Sequence, residues 1–302
     1  MTMPTRFSIL ALATALTLTS VASALTPLSY EQTIEQWRAT RVERLKQPQG
    51  WLSLVGLHWI EPGTHRVGRA DDNDIVLATG PASLGTVRLA DGKVFFAAHE
   101  DSAVRVDGAA PSGEVELRSD HHETPSVLSF DAGQATIQLI DRNGKLGFRV
   151  RDARAKTRSG FVGIENYAID QTWRVEARFE PHPAGKTIDI ANVIGQLEPM
   201  ANPGAVVFER EGKTYRLEAV DEGDGSLFLI FADRTNGKDT YGAGRFVYAD
   251  AAVDGETLVD FNKAYNPPCA FNAYSTCPLP PPENRLDLEV TAGEKKYAGP
   301  TH

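Results

Sequence analysis

From Gly63 to Arg151 apolar and polar residues alternate with a period of two, in short runs such as KVFFAA, ATIQLI and LGFRVR. Strict alternation places every second side chain on one face, the mark of a half-buried strand. Asp91-Gly92, Asp107-Gly108 and Asn143-Gly144 punctuate the runs. Such dipeptides reach the left-handed conformations that tight hairpins need, so the stretch predicts a β-sandwich of many short strands. Upstream the period lengthens. Tyr30, Ile34, Trp37 and Leu45 recur at helical spacing, with Gln32, Glu35, Gln36, Glu43 and Lys46 outside. Ser29 and Gln32 form a capping box at the start, and Pro48 stops a helix of about four turns. Arg41 interrupts the apolar stripe, so its stem should pack there while its head reaches water or a carboxylate.

Between helix and sandwich, Trp51, Leu54, Leu57 and Trp59 form an aromatic-rich buried segment. His58 sits among them, either as a core histidine bonded to backbone or facing a site carried by the C-terminal half. Residues 152–172 are a basic, small-residue connector and the expected domain boundary. Beyond it Trp173, Val175, Ala177 and Phe179 alternate with Arg174, Glu176 and Arg178. That charged face is either solvated or the lumen of a barrel. The runs AVVFER, TYRLEAV, LFLIFAD, TYGAGRFVY, TLVDFN and LDLEVTA then predict an antiparallel sheet of six to eight strands. LFLIFAD is apolar on both faces and is expected to be central. The fold class expected is therefore mainly β. It has an N-terminal helix within 25–50, a sandwich over 51–152, and an antiparallel barrel-like or second sandwich domain over 153–302.

Composition narrows the partners. A net charge of −9 without a cluster of Lys and Arg excludes nucleic acid. Residues 1–24 read as a signal peptide: Thr5-Arg6 precede an apolar run that ends in Ala22-Ser23-Ala24, an A-x-A cleavage pattern. The expected location is secreted or periplasmic, with no membrane span after cleavage. In such a compartment Cys269 and Cys277 should form a disulfide, a local clamp worth about 2.5 kcal/mol by loop entropy.

The densest chemistry lies in 239–285, which holds both cysteines and six of the eighteen prolines. If the hairpin turns at Asp254-Gly255 with a two- or four-residue loop, strand parity brings Tyr241, Arg245, Asp260 and Asn262 to one face. Arg245 offers a planar fork for a carboxylate or phosphate. Asp260, Glu283 and Tyr241 are the candidate catalytic groups, as acid, base or oxyanion donor. Asn262, Tyr265, Asn266, Asn284 and Arg285, with His58 and Arg245, are the candidate ligand-binding set. The same face also reads as a buried Arg–Asp pair with no further role. No G-x-S-x-G elbow, H-E-x-x-H, P-loop or dinucleotide fingerprint occurs. Two cysteines eight apart lack the further ligands of a zinc site, so neither metal nor cofactor is expected.

Two resemblances add to this. Gly68-Arg69 followed by Asn73-Asp74-Ile75-Val76-Leu77 resembles the opening of forkhead-associated domains. That implies a sandwich, but Ser83-Leu84-Gly85-Thr86 lacks the histidine of the family's phosphothreonine-reading element. The blocks GWLSLVGLHWIEPG, TYGAGRFVY and VDFNKAYNPPCAFNAYSTCPLPPPENRL resemble a prokaryotic family classed only as a domain of unknown function, the DUF-sixteen-eighty-four type. The resemblance runs from about Tyr30 to Tyr297 and implies a shared fold and a shared site around the last block, with no established reaction. The expectation is a small-molecule site in the C-terminal domain: either a metal-independent hydrolase of an anionic substrate, or a non-catalytic small-molecule or carbohydrate binding protein of the cell envelope. Oligomeric state is left open.

Overall fold

A computed structural model describes residues 27–223 and 225–301, so the signal peptide read over 1–24 lies outside the described residues. The helix runs Tyr30–Lys46 with its capping box formed: the Ser29 hydroxyl accepts from the Gln32 amide, and the Gln32 side chain accepts from the Ser29 amide. No helix among the described residues is long and apolar enough to cross a membrane.

The alternating region folds into two five-stranded sheets. One orders its strands Leu54–Trp59, Lys145–Asp152, Ala135–Arg142, Val127–Phe130, Arg105–Val106; the other orders them Ile75–Val76, Gly63–Gly68, Gly85–Ala90, Lys93–Ala98, Glu114–Leu117. Val67, Val87, Phe96, Phe130 and Phe148 fill the space between them. Asp91-Gly92 and Asn143-Gly144 make the expected tight hairpins, each with both residues at positive φ. Asp107-Gly108 turns in the same way but closes only a single bridge, Val106 to Ala109. His58 pairs with Phe148, whose side chain is in the sandwich core, so His58 shares that inward face and turns away from the C-terminal half. Burial lowers its pKa, and its Nε2 has no hydrogen-bond partner among the described residues. The expectation that His58 faces the C-terminal site is corrected on this parity.

The C-terminal half is a six-stranded antiparallel sheet curled into a half-barrel, ordered Lys213–Glu218, Gly204–Arg210, Arg174–Pro181, Glu256–Asp260, Arg245–Ala249, Leu227–Phe231. Its interior holds Trp173, Phe208, Leu229, Phe231 and Phe261. Arg174, Glu176 and Arg178 are exposed, so the charged face of that strand is solvated and no lumen forms on it. Leu227–Phe231 is buried throughout, yet it is an edge strand, contrary to its expected central place. Two features bury that edge. The curl brings Val220 back to bridge Phe228, and a two-stranded ribbon, Thr187–Ala191 with Leu197–Ala201, packs Ile188, Ile190 and Met200 against Phe228, Ile230 and Phe246.

The run LDLEVTA is extended, and Leu286, Leu288, Val290 and Ala292 are buried in alternation as its pattern demands. It is nevertheless not a strand of the sheet. Side chains satisfy part of its backbone: the Arg245 guanidinium donates to the carbonyls of Val290 (2.8 Å) and Ala292 (2.5 Å), and to that of Glu294 (3.3 Å) just beyond the run. The helix lies against this half. Arg41 donates to Glu294 Oε1 (3.0 Å) and to the Asn266 carbonyl (2.8 Å), and Tyr30 donates to Asp260 Oδ1 (2.9 Å).

Candidate functional site

The expected sharing of one face by Tyr241, Arg245, Asp260 and Asn262 is corrected by one residue of register. Ala249 pairs with Val259, so the positions sum to an even number, and Arg245 falls on the face opposite Asp260. The connection between the two strands absorbs the odd residue, because Val253 and Glu256 pair in the other register at the turn. Arg245 instead meets Asp233 at 2.8 Å, both side chains fully buried. With both terminal nitrogens committed to Asp233 and backbone carbonyls, it has no fork left for a ligand. Tyr241 precedes the strand, and its hydroxyl donates to the Cys269 carbonyl at 3.2 Å.

The remaining candidates divide between scaffold and surface. Asp260 caps a short 3-10 turn, accepting from the Asn262 amide and from Tyr30. Burial and then Asp260 itself raise the Tyr30 pKa, so the phenol stays a donor. Asn262 donates to the Asp170 carbonyl and accepts from its amide, tying the connector to the sheet. Asn284 acts as a surrogate peptide unit: its amide donates to the carbonyls of Glu218 and Ile230 and accepts from the Glu218 N–H, lacing the two edges of the half-barrel. Asn266 is fully buried and donates to the Lys295 carbonyl. Glu283 and Arg285 are exposed on the outer surface. Tyr265 alone of the candidate catalytic and ligand-binding residues lines the cleft described next.

A cleft of about 750 Å³ opens where helix, sandwich and half-barrel meet. Its helical wall is Thr33, Gln36, Trp37, Thr40, Arg41 and Arg44, residues of the helix at i, i+3, i+4 spacing. The sandwich supplies Trp51 and Arg142. The half-barrel contributes a ladder of rings: Phe228 stacks on Tyr248 (4.7 Å between centroids, 21° between planes), and Tyr248 on Tyr265 (6.3 Å, 12°). The Arg41 guanidinium lies 4.6 Å over the Tyr265 ring and is fixed there by Glu294. Tyr248 donates to Glu222, which also lines the cleft. Burial, with Tyr265 and Glu222 beside it, raises the Tyr248 pKa, and burial pushes Tyr265 up to about 12, so both hydroxyls remain protonated at neutral pH.

The last wall is the loop closed by the Cys269–Cys277 disulfide, with a Cα separation of 6.2 Å, which presents Ser275 and Thr276, together with Pro268 just before it. Thr276 Oγ1 accepts from Arg142 Nε at 3.0 Å and from Arg149 Nη2 at 3.4 Å, joining loop to sandwich. Sequence reasoning missed this cleft. Gln36, Thr40 and Arg44 look like solvent-facing helix positions, and Arg142 and Thr276 come close only through the fold. Arg41, an arginine on an apolar stripe, was the one signal of a partner for that face.

Comparison with known proteins places the site in a family context. The model of the family described as "Protein of unknown function (DUF1684)" matches residues 159–295, which includes the aromatic ladder and the disulfide loop. A solution NMR structure of an uncharacterised protein from Haloarcula marismortui is 30% identical, over 45% of this chain and 77% of that one, with a TM-score of 0.38. No curated protein matches.

Proposed function

We propose, for a chain that belongs to the family described as "Protein of unknown function (DUF1684)", that it binds a small ring-bearing molecule in the cleft and releases it unchanged. The observation that carries this reading is the exposed ring ladder. Tyr248 is 40% exposed although it is stacked between Phe228 and Tyr265, at the wall of a cleft of about 750 Å³. Concave sites of this size lined by aromatic rings with a few polar groups are the usual form of small-molecule pockets. A flat heterocycle or the apolar face of a sugar ring would continue the ladder. The disulfide fits an oxidising compartment, which supports a role outside the cytoplasm.

Hydrolysis is the second reading, and one contact favours it. Glu222 and Tyr248 are hydrogen-bonded in the cleft, a carboxylate beside a protonated phenol. Asp260 and Glu283, the acids expected to do this work, lie off the cleft. Thermal denaturation against a panel of neutral aromatics, aromatic acids and sugars separates the readings. Binding predicts that at least one ring class raises the midpoint with concentration, that Tyr248→Ala abolishes the effect, and that the compound is recovered intact. Product formed by the wild type and lost in Glu222→Gln would make the protein a hydrolase. No stabilisation by any class would overturn both.

A further inference from the structure

We propose that the ligand carries an acidic group, a carboxylate or phosphate, which docks on the Thr276 hydroxyl beside Arg142 and Arg44. The inference rests on the reading that the cleft holds a ligand, and it adds that ligand's charge. In a chain of net charge −9, the described residues that line the cleft include three arginines and one carboxylate. Two of the arginines have partners: Arg41 is matched by Glu294, and Arg142 by Asp120 at 2.8 Å. The guanidinium of Arg44 is exposed and has no ion pair or hydrogen bond among the described residues. Behind the wall Arg149 is 5% exposed, and its Nε has no hydrogen-bond partner among the described residues. Burial first, then the nearby charges of Arg142 and Arg151, push its pKa down to about 10, with Asp120 acting in the opposite sense.

Thr276 conveys that charge into the cleft. A hydroxyl has two lone pairs and one proton to give. Both lone pairs face guanidinium N–H groups, from Arg142 and Arg149, so the capacity that remains is donation. A hydroxyl polarised by two cations, with its proton free to turn into the cleft, is suited to an anionic oxygen. Arg44, on the helical wall of the same cleft, adds a positive charge without a carboxylate partner among the described residues. The ring ladder, on the half-barrel, would hold the rest of the molecule, so the ligand class is a ring-bearing organic acid.

The test compares three probes of one ring system: naphthoate, naphthyl phosphate and the neutral naphthalenemethanol, titrated by quenching of tryptophan fluorescence. Wild type should bind at least one acid about tenfold more tightly than the alcohol, as expected for a charge-assisted hydrogen bond with a nearby cation. The tighter acid names the group. Thr276→Val and Arg44→Gln should each erode that preference while shifting the alcohol's affinity less than about twofold, and Thr276→Ser should keep it. Added salt should weaken the acids alone. Equal affinity for all three probes in wild type, or a preference that survives Thr276→Val, overturns the proposal while leaving the cleft reading intact. If none binds, including the alcohol, the cleft reading falls and this inference with it.

Discussion

Arg245 and Asp233 are both fully buried and joined at 2.8 Å, and Asp233 in turn accepts from Thr235 and from the Val290 amide. Two charges withdrawn from water are tolerated only when each is matched, so removing one exposes the other's desolvation cost. Arg245→Met should lower stability by about 3–5 kcal/mol, seen as a fall in the urea midpoint. Arg245→Met with Asp233→Leu should recover part of the loss, but not all, because three carbonyls also lose their donor. A loss below about 1 kcal/mol would contradict this role. The pattern TYGAGRFVY marks Arg245 as special without saying why. An arginine on a strand face reads equally as a ligand fork or a structural hub, and only the register decides. That register turns on one residue between Ala249 and Val259, which the turn signal Asp254-Gly255 leaves undetermined.

The disulfide loop is short, yet it forms a wall of the cleft and bears Thr276. The Cys269 amide donates to Cys277 Sγ, and Asn272 ties the loop to the Trp51 carbonyl at 3.1 Å. Reduction should cost about 2.5 kcal/mol by loop entropy, measured as the midpoint difference with and without dithiothreitol. It should also weaken probe binding, since the loop's ordering cost then falls on the ligand. Unchanged binding in the reduced protein would mean that the prolines and Asn272 suffice. At this scale the sequence was most informative. The capping box, the Asn143-Gly144 hairpin and the half-buried strand Arg174–Pro181 were all readable, because local chemistry fixes each one. LDLEVTA misled because alternation reports which side chains are buried, not what its backbone bonds to.

Across the whole molecule the helix is the element that completes the site. It is held to the half-barrel by Tyr30 and Arg41, and its polar face forms one wall of a cleft that the sandwich and the disulfide loop also line. No single stretch of sequence carries that cleft, which is why 239–285 announced a site but supplied only part of one. The four tryptophans offer a direct reading of where a ligand sits. Trp37 and Trp51 line the cleft, whereas Trp173 is in the half-barrel core and Trp59 lies on the sandwich under Lys145. Occupancy of the cleft can be read from the NMR signals of the four indole N–H groups during titration with naphthyl phosphate. A ligand in the cleft should make Trp37 and Trp51 shift and saturate together while Trp59 and Trp173 stay in place. Shifts confined to Trp59 or Trp173, or no shift at saturating probe, would mean that the cleft does not hold the ligand.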